Sequence, residues 1–255
     1  MPAGAGSGPE HGPLLRFEQV GKAYPDGRQR TVVLESASFE IRRGEHVGVF
    51  GARRTGKSTL LRLAAGIESP DEGRVLFDGV DMARLPTVRR DRLLRRRIGL
   101  LVSDNWWPAR GERAVDLVAL PLVSDGATMH EAQRRARRTL GRLQATDYAD
   151  DLAASLAVGE RMRVLLARAL VREPELLLVD EPAVVPSPSE RSEFYELMRA
   201  CAHENGATLV VASEDSEATH ETDVLMSIGS GELLCAGGDP GVVVPFRGRQ
   251  AGGFT

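Results

Sequence analysis

The nine residues Gly51-Ala52-Arg53-Arg54-Thr55-Gly56-Lys57-Ser58-Thr59 restrict this chain more than any other stretch. They satisfy the spacing G-x-x-x-x-G-K-[ST], following an apolar run (Val47, Val49, Phe50) and preceding a helical pattern, which is the context a strand–loop–helix phosphate site requires. Gly51 and Gly56 let the backbone curl so that successive N–H groups point at phosphate oxygens, where a Cβ would be strained. Lys57 then offers a point charge to the β- and γ-phosphates and Ser58 a hydroxyl to Mg²⁺, while the helix beginning here turns its positive end to the anion. A loop of this kind alone suits a GTPase, a kinase or any of many ATPases.

A second motif narrows that choice. Leu176 to Val179 is a continuous apolar run ending in Asp180-Glu181-Pro182, as expected of a buried parallel strand with acids at its carboxyl edge. Asp180 is placed to hold Mg²⁺ through water, and Glu181 to orient or deprotonate a water attacking a γ-phosphate. Other segments supply the scaffold. Leu14 to Val20 and Val32 to Ile41 read as strands flanking the turn Pro25-Asp26-Gly27, and Arg74 to Asp78 as another. Leu60, Leu61, Leu63, Ala64 and Ile67 recur at helical spacing. Thr128-Met129-His130-Glu131 is a capping box opening a helix with Ala132, Ala136, Leu140 and Leu143 inward. Gly159 starts a helix with Val164, Leu165, Ala167, Ala169 and Leu170 inward, and Ser187-Pro188-Ser189-Glu190 caps one whose stripe is Phe194, Leu197, Met198 and Cys201. Leu209 to Ala212 is a further buried strand, and Val224 to Ile228 with Glu232 to Cys235 a closing hairpin.

Composition excludes several function classes. A formal net charge of −3 lacks the basic excess of a dedicated nucleic-acid binder, so the arginines between Ala83 and Arg97 read as a solvated helix face and no nucleic-acid partner is expected. Two cysteines, Cys201 and Cys235, suggest neither a disulfide framework nor a metal cluster and fit a reducing cytosol. Cys201 reads as a core thiol. No uncharged apolar run approaches the ~18 residues of a membrane span. His46, His130 and His203 have no ligand-like companions. The expected organisation is a disordered tail over 1–13, one domain over 14–236 with a helical insert at about 84–165, and a loose Gly-rich tail over 237–255.

The run Arg161 to Pro182 (Arg-Met-Arg-Val-Leu-Leu-Ala-Arg-Ala-Leu-Val-Arg-Glu-Pro-Glu-Leu-Leu-Leu-Val-Asp-Glu-Pro) resembles the nucleotide-binding subunit of an ABC transporter, and the similarity extends from Leu14 to Cys235. Val115 to Leu122 is similar to the lipoprotein-release and macrolide-export subgroup. The resemblance implies an α/β P-loop NTPase (RecA-like) core with an antiparallel β subdomain and an α-helical insert. It implies ATP and Mg²⁺ as ligands, Tyr24 stacked on adenine, and Gly159 in the signature that completes a second chain's site. It also implies a membrane-spanning permease and a second ABC ATPase subunit as partners, at the cytoplasmic face of the membrane.

Four positions depart from that family's pattern. Ser103 stands where the family has a glutamine, and the signature reads Leu156-Ala157-Val158-Gly159-Glu160, without its serine. The loop after Pro182 reads Val184-Val185-Pro186-Ser187, without its aspartate, and the switch histidine is Glu214. Ser103 and Ala157 each remove a hydrogen bond to a charged group, about 1.5–3 kcal/mol. A loss confined to the transition state is roughly 10- to 100-fold in rate. A carboxylate ~4 Å from a phosphate oxygen would repel it by about 4 kcal/mol at an effective dielectric of 20, so Glu214 must be protonated, turned away or paired with a cation. Hydrolysis is therefore expected to be impaired more than binding, and pairing with an intact ATPase is expected over a homodimer. His220 is a poor replacement for the histidine, since it lies one or two helical turns beyond Glu214. Trp106 and Trp107 suit either permease docking or burial in the insert. The rival readings are a regulatory pseudo-ATPase and a soluble ABC ATPase acting on ribosomes or DNA.

Overall fold

The computed structural model describes residues 12–27, 29–102, 111–182, 187–229 and 231–236. The expected tails over 1–13 and 237–255 therefore fall almost wholly outside the described residues, as do Ser103, Trp106, Trp107, Val184, Val185 and Pro186. Two sheets carry the fold. The first is antiparallel, in the order β2 (Gln29–Ile41), β1 (Leu15–Asp26), β4 (Glu72–Phe77), β5 (Val80–Asp81). The second has the order β10 (Glu232–Ala236), β9 (Val224–Gly229), β3 (His46–Phe50), β8 (Thr208–Ser213), β7 (Leu176–Asp180), β6 (Ile98–Val102). All its pairings are parallel except that of β10 with β9.

The continuous apolar runs are explained by burial on both faces. Along β7, Leu176 and Leu178 join one core and Leu177 and Val179 the other; along β8, Val210 and Ala212 alternate in the same way with Leu209 and Val211. One core lies between the two sheets around α1 (Lys57–Ala64); the other packs α3 (Ala114–Ser124), α4 (Met129–Arg142), α5 (Val158–Leu170) and α6 (Pro188–Glu204) on the opposite face. Burying each such aliphatic side chain contributes about 1.5–3 kcal/mol. Gly99 in β6 marks how closely the helical layer approaches, since a Cβ there would lie 2.6 Å from the carbonyl oxygen of Ala169.

Some sequence expectations shift. The first strand runs on through Tyr24 to Asp26, because β2 pairs with it along that length. Ile67 is 58% exposed: α1 stops at Ala64, and Gly66 turns the chain at φ +63°. In α5 it is Leu166 and Met162, not Leu165 and Ala169, that are fully buried beside Val164, Ala167 and Leu170. The range 84–165 also contains β6, a strand of the main sheet, so its helices are not one continuous insert. α2 (Thr87–Arg97) buries none of its residues, as a solvated arginine face requires. Thr128 caps α4 by accepting from Glu131 N at 3.3 Å, and Cys201 is buried.

At the amino ends of the parallel strands, an ion-pair cluster joins the two sheets. Arg43 bonds Glu175 at 2.6 Å and also pairs with Asp78, and Arg97 bonds Asp78 at 2.7 Å and Glu175 at 2.6 Å. Arg97 also lies 4.8 Å from the Phe77 ring centroid. Its hydrogen bonds are the largest influence holding the Asp78 and Glu175 carboxyls below their ordinary values of 3.8 and 4.5. A carboxylate with a depressed folded pKa contributes stability that is present above its unfolded value and lost as pH falls through the folded one. The urea midpoint is therefore expected to fall as pH drops below about 5, and Glu175→Gln to flatten that decline, as measured by denaturation at a series of pH values.

Candidate functional site

β3 ends at Phe50, and the loop that follows delivers the chain into α1. Its two glycines are required for different reasons. A Cβ on Gly51 would lie 2.6 Å from the Ile228 carbonyl oxygen, so its need is close approach; Gly56 sits at φ +109° and a Cβ there would meet Val33 Cγ1 at 2.4 Å. Arg54 also lies in the left-handed region, at φ +61°, although it carries a Cβ. The curl therefore tolerates one strained non-glycine, at a cost on the order of 1 kcal/mol. Thr55 Oγ1 donates to the Ala52 carbonyl at 2.8 Å and braces the bend.

Lys57 is 5% exposed and folds back over this loop. Its ammonium donates to the carbonyls of Gly51 at 2.8 Å and Ala52 at 2.9 Å, and lies 2.9 Å from Glu181 Oε1. Glu181 is fixed from its other oxygen: Ser213 Oγ and Glu214 N both donate to Oε2 at 3.2 Å, and Ser213 Oγ accepts from Asp215 N at 3.0 Å. Glu181 itself adopts φ +46°, a conformation that a non-glycine residue holds only when its surroundings impose it. Asp180, one residue earlier, is 7% exposed at the end of β7.

These groups surround a cleft of about 550 Å³. One wall is Tyr24 with Val33, and the floor is Gly56, Lys57, Ser58 and Thr59; Arg53, Arg54, Glu181 and Glu214 complete the lining. The Tyr24 hydroxyl bonds Glu68 and lies 3.3 Å from Thr59 Oγ1, and its pKa is raised, first by burial and then by the Glu68 bond. Glu214 is paired with a cation: Arg53 Nε stands 3.4 Å from its Oε1. Of the three possibilities the sequence left open at 214, the structure adopts that one. His220 is exposed and does not line the cleft.

Gly159 is elsewhere. It lines a separate concavity of about 320 Å³ with Tyr148, Ala157, Glu160, Arg163, Glu190 and Phe194. The amino end of α5 is closed by its own side chains, Glu160 accepting from Ala157 N at 2.7 Å and Arg161 donating to the Leu156 carbonyl at 2.8 Å. Within one chain the phosphate loop and the signature segment thus belong to two different surfaces. The sequence reading did not anticipate Val33, Glu68 or the Arg53–Glu214 pair. The position of Glu214 just past a buried strand was the available signal for the last, since it shares that placement with Glu181.

The model of the ABC transporter family matches residues 34–184. The lipoprotein-releasing system ATP-binding protein LolD of Bordetella pertussis is 33% identical over 222 residues, spanning 87% of this chain and 96% of the relative. The macrolide export ATP-binding/permease protein MacB of Brucella melitensis is 32% identical, spanning 87% of this chain and 34% of that longer protein. Among solved structures, a dimeric ATP-binding cassette in a post-hydrolysis state bound to ADP and Pi superposes with a TM-score of 0.79 at 25% identity, covering 86% of this chain and 96% of the cassette.

The Lys57–Glu181 pair carries its own expectation. Glu181→Gln removes the charge opposite the buried ammonium while keeping an amide oxygen that accepts from it, and is expected to destabilise the protein by about 1–3 kcal/mol. Adding Lys57→Met should recover part of that loss, and a denaturant double-mutant cycle measures the coupling.

Proposed function

The chain belongs to the ABC transporter family as an ATP-binding subunit, and on that premise we propose that it binds MgATP in the 550 Å³ cleft and passes nucleotide-driven dimerisation to a membrane permease. The observation that supports this most is the convergence of Lys57 and Glu181, which belong to separate motifs and meet at 2.9 Å. Loop N–H groups and Lys57 hold the β- and γ-phosphates, Tyr24 stacks on the base, and Glu181 orients or deprotonates the attacking water. Ser58 through its hydroxyl and Asp180 through water would hold Mg²⁺, which would neutralise charge on the phosphates. Triphosphate entry separates Lys57 from Glu181 and leaves the carboxylate available to water.

Hydrolysis is weak in this chain alone, because Ser103, Ala157, Ser187 and Glu214 replace groups that the family pattern directs at the nucleotide. We place it in a heterodimer with an intact ABC ATPase, on the cytoplasmic face of the membrane beneath the permease. No helix among the described residues is long and apolar enough to cross a membrane. The same departures favour a second reading, a regulatory subunit that binds ATP without useful turnover beside an active partner.

Binding and turnover of ATP by the purified chain test both readings. The expected result is binding that Lys57→Ala weakens by about 100-fold, with turnover near background until an intact partner subunit is added. Ordinary transporter-level turnover by the chain alone would refute the impaired-hydrolysis assignment, and no turnover even beside the partner would select the regulatory one.

A further inference from the structure

Two base–acid pairs, not one, span the cleft. Lys57 faces Glu181 at 2.9 Å and Arg53 faces Glu214 at 3.4 Å. In each pair the cation comes from the phosphate loop and the carboxylate from just beyond the carboxyl end of a neighbouring strand, β7 or β8. The two acids adjoin, since Glu214 N donates to Glu181 Oε2. They stand where the anionic oxygens of a polyphosphate would meet the same two cations.

The pairs differ in how tightly the cation is held. Lys57 is buried and tied to two carbonyls as well, whereas the Arg53 side chain is 85% exposed and has Glu214 as its ion-pair partner among the described residues. An exposed pair of this kind is weakly held and readily exchanged. A guanidinium, moreover, can fork onto two oxygens of a terminal phosphoryl group, which an ammonium cannot do. Position selects the terminal group. Tyr24, 3.3 Å from Thr59 on α1, lines the cleft together with Glu181 and Glu214, and Glu181 reaches Lys57. A nucleotide with its base on Tyr24 and its phosphates on Lys57 would bring its outermost phosphate toward the two acids.

We propose that Arg53 is a specificity-determining residue for that outermost phosphate, held across the cleft mouth by Glu214 and released to the ligand when a nucleoside triphosphate displaces the carboxylate. A diphosphate lacks the group that would displace it and leaves the pair closed. The inference rests on the cleft being a nucleotide site. It gives Glu214 a role compatible with its charge, because the carboxylate that would repel phosphate also presents the cation that attracts it.

Calorimetric titration of MgATP and MgADP into wild type, Arg53→Ala, Arg53→Lys, Glu214→Gln, the Arg53→Ala/Glu214→Gln double variant and Lys57→Ala tests this. Arg53→Ala is expected to weaken ATP by about tenfold and ADP by less than about twofold, and Arg53→Lys to restore most of the difference. Glu214→Gln should tighten ATP by about fivefold and ADP by less than about twofold, and the double variant, which lacks the cation as well, should discriminate between the two nucleotides less than Glu214→Gln does. An ATP-to-ADP ratio unchanged in Arg53→Ala, or a double variant that discriminates between the nucleotides as well as Glu214→Gln does, would each overturn the proposal while Lys57→Ala still abolished binding. If wild type bound neither nucleotide, or Lys57→Ala bound both normally, the nucleotide reading itself would fall, and this inference with it.

Discussion

Parallel pairing of β3 with β8 and of β8 with β7 sets Phe50 opposite Ser213 and Asp180 opposite Ala212. Hydrogen bonds in a parallel ladder are evenly spaced, so the three strands end at nearly one level, and whatever residue follows each must lie on the same edge. Gly51, Glu181 and Glu214 are those residues. The ladder continues past the strands, with Gly51 N donating to the Ser213 carbonyl and Glu181 N to the Ala212 carbonyl. Two motifs far apart in the chain become one cleft because this register leaves them nowhere else to go. The two hydrophobic cores hold the register, since slipping a strand by one residue would exchange every side chain between faces.

That geometry concentrates charge. The turn from β3 into α1 gathers Lys57, Arg53 and Arg54, and the carboxylates of Glu181 and Glu214 pair with the first two. Glu181 is held by three donors and Glu214 by an exposed guanidinium, so the two acids are anchored very unequally. The backbone N–H of Glu214 donates to Glu181 at 3.2 Å, and each of the two carboxylates has its own cation. At the other end of the strands, Arg43, Arg97, Asp78 and Glu175 neutralise one another and fasten the antiparallel sheet to the parallel one. That cluster keeps the wall bearing Tyr24 and Val33 in line with the phosphate loop.

Much of this was legible from residues alone. The loop spacing, the apolar run before Asp180-Glu181 and the strand Leu209 to Ala212 stated the parallel core, because a strand buried on both faces has no polar alternation to obscure it. Helix faces were less secure. Helical spacing pointed to Leu165, but Leu166 is the buried residue and Leu165 only packs partly against the same core. Ile67 continued a periodic stripe past the point where Gly66 had already turned the chain away from it.

The sequence by itself determined that a phosphate loop and an acidic strand end exist, since both are local patterns whose chemistry is carried by neighbours in the chain. The letters at Ser103, Ala157 and Glu214 are likewise local, and read on their own they raise a question without answering it. What only the tertiary structure decided is who answers whom. The charge at 214 posed a problem that local pattern could not resolve, and the fold resolves it with Arg53, which reaches it solely because β3 and β8 are adjacent and end together. The separation of Gly159 from the cleft was implied only by the family resemblance, because which surfaces coincide depends on how α5 packs across the sheet and not on spacing along the chain.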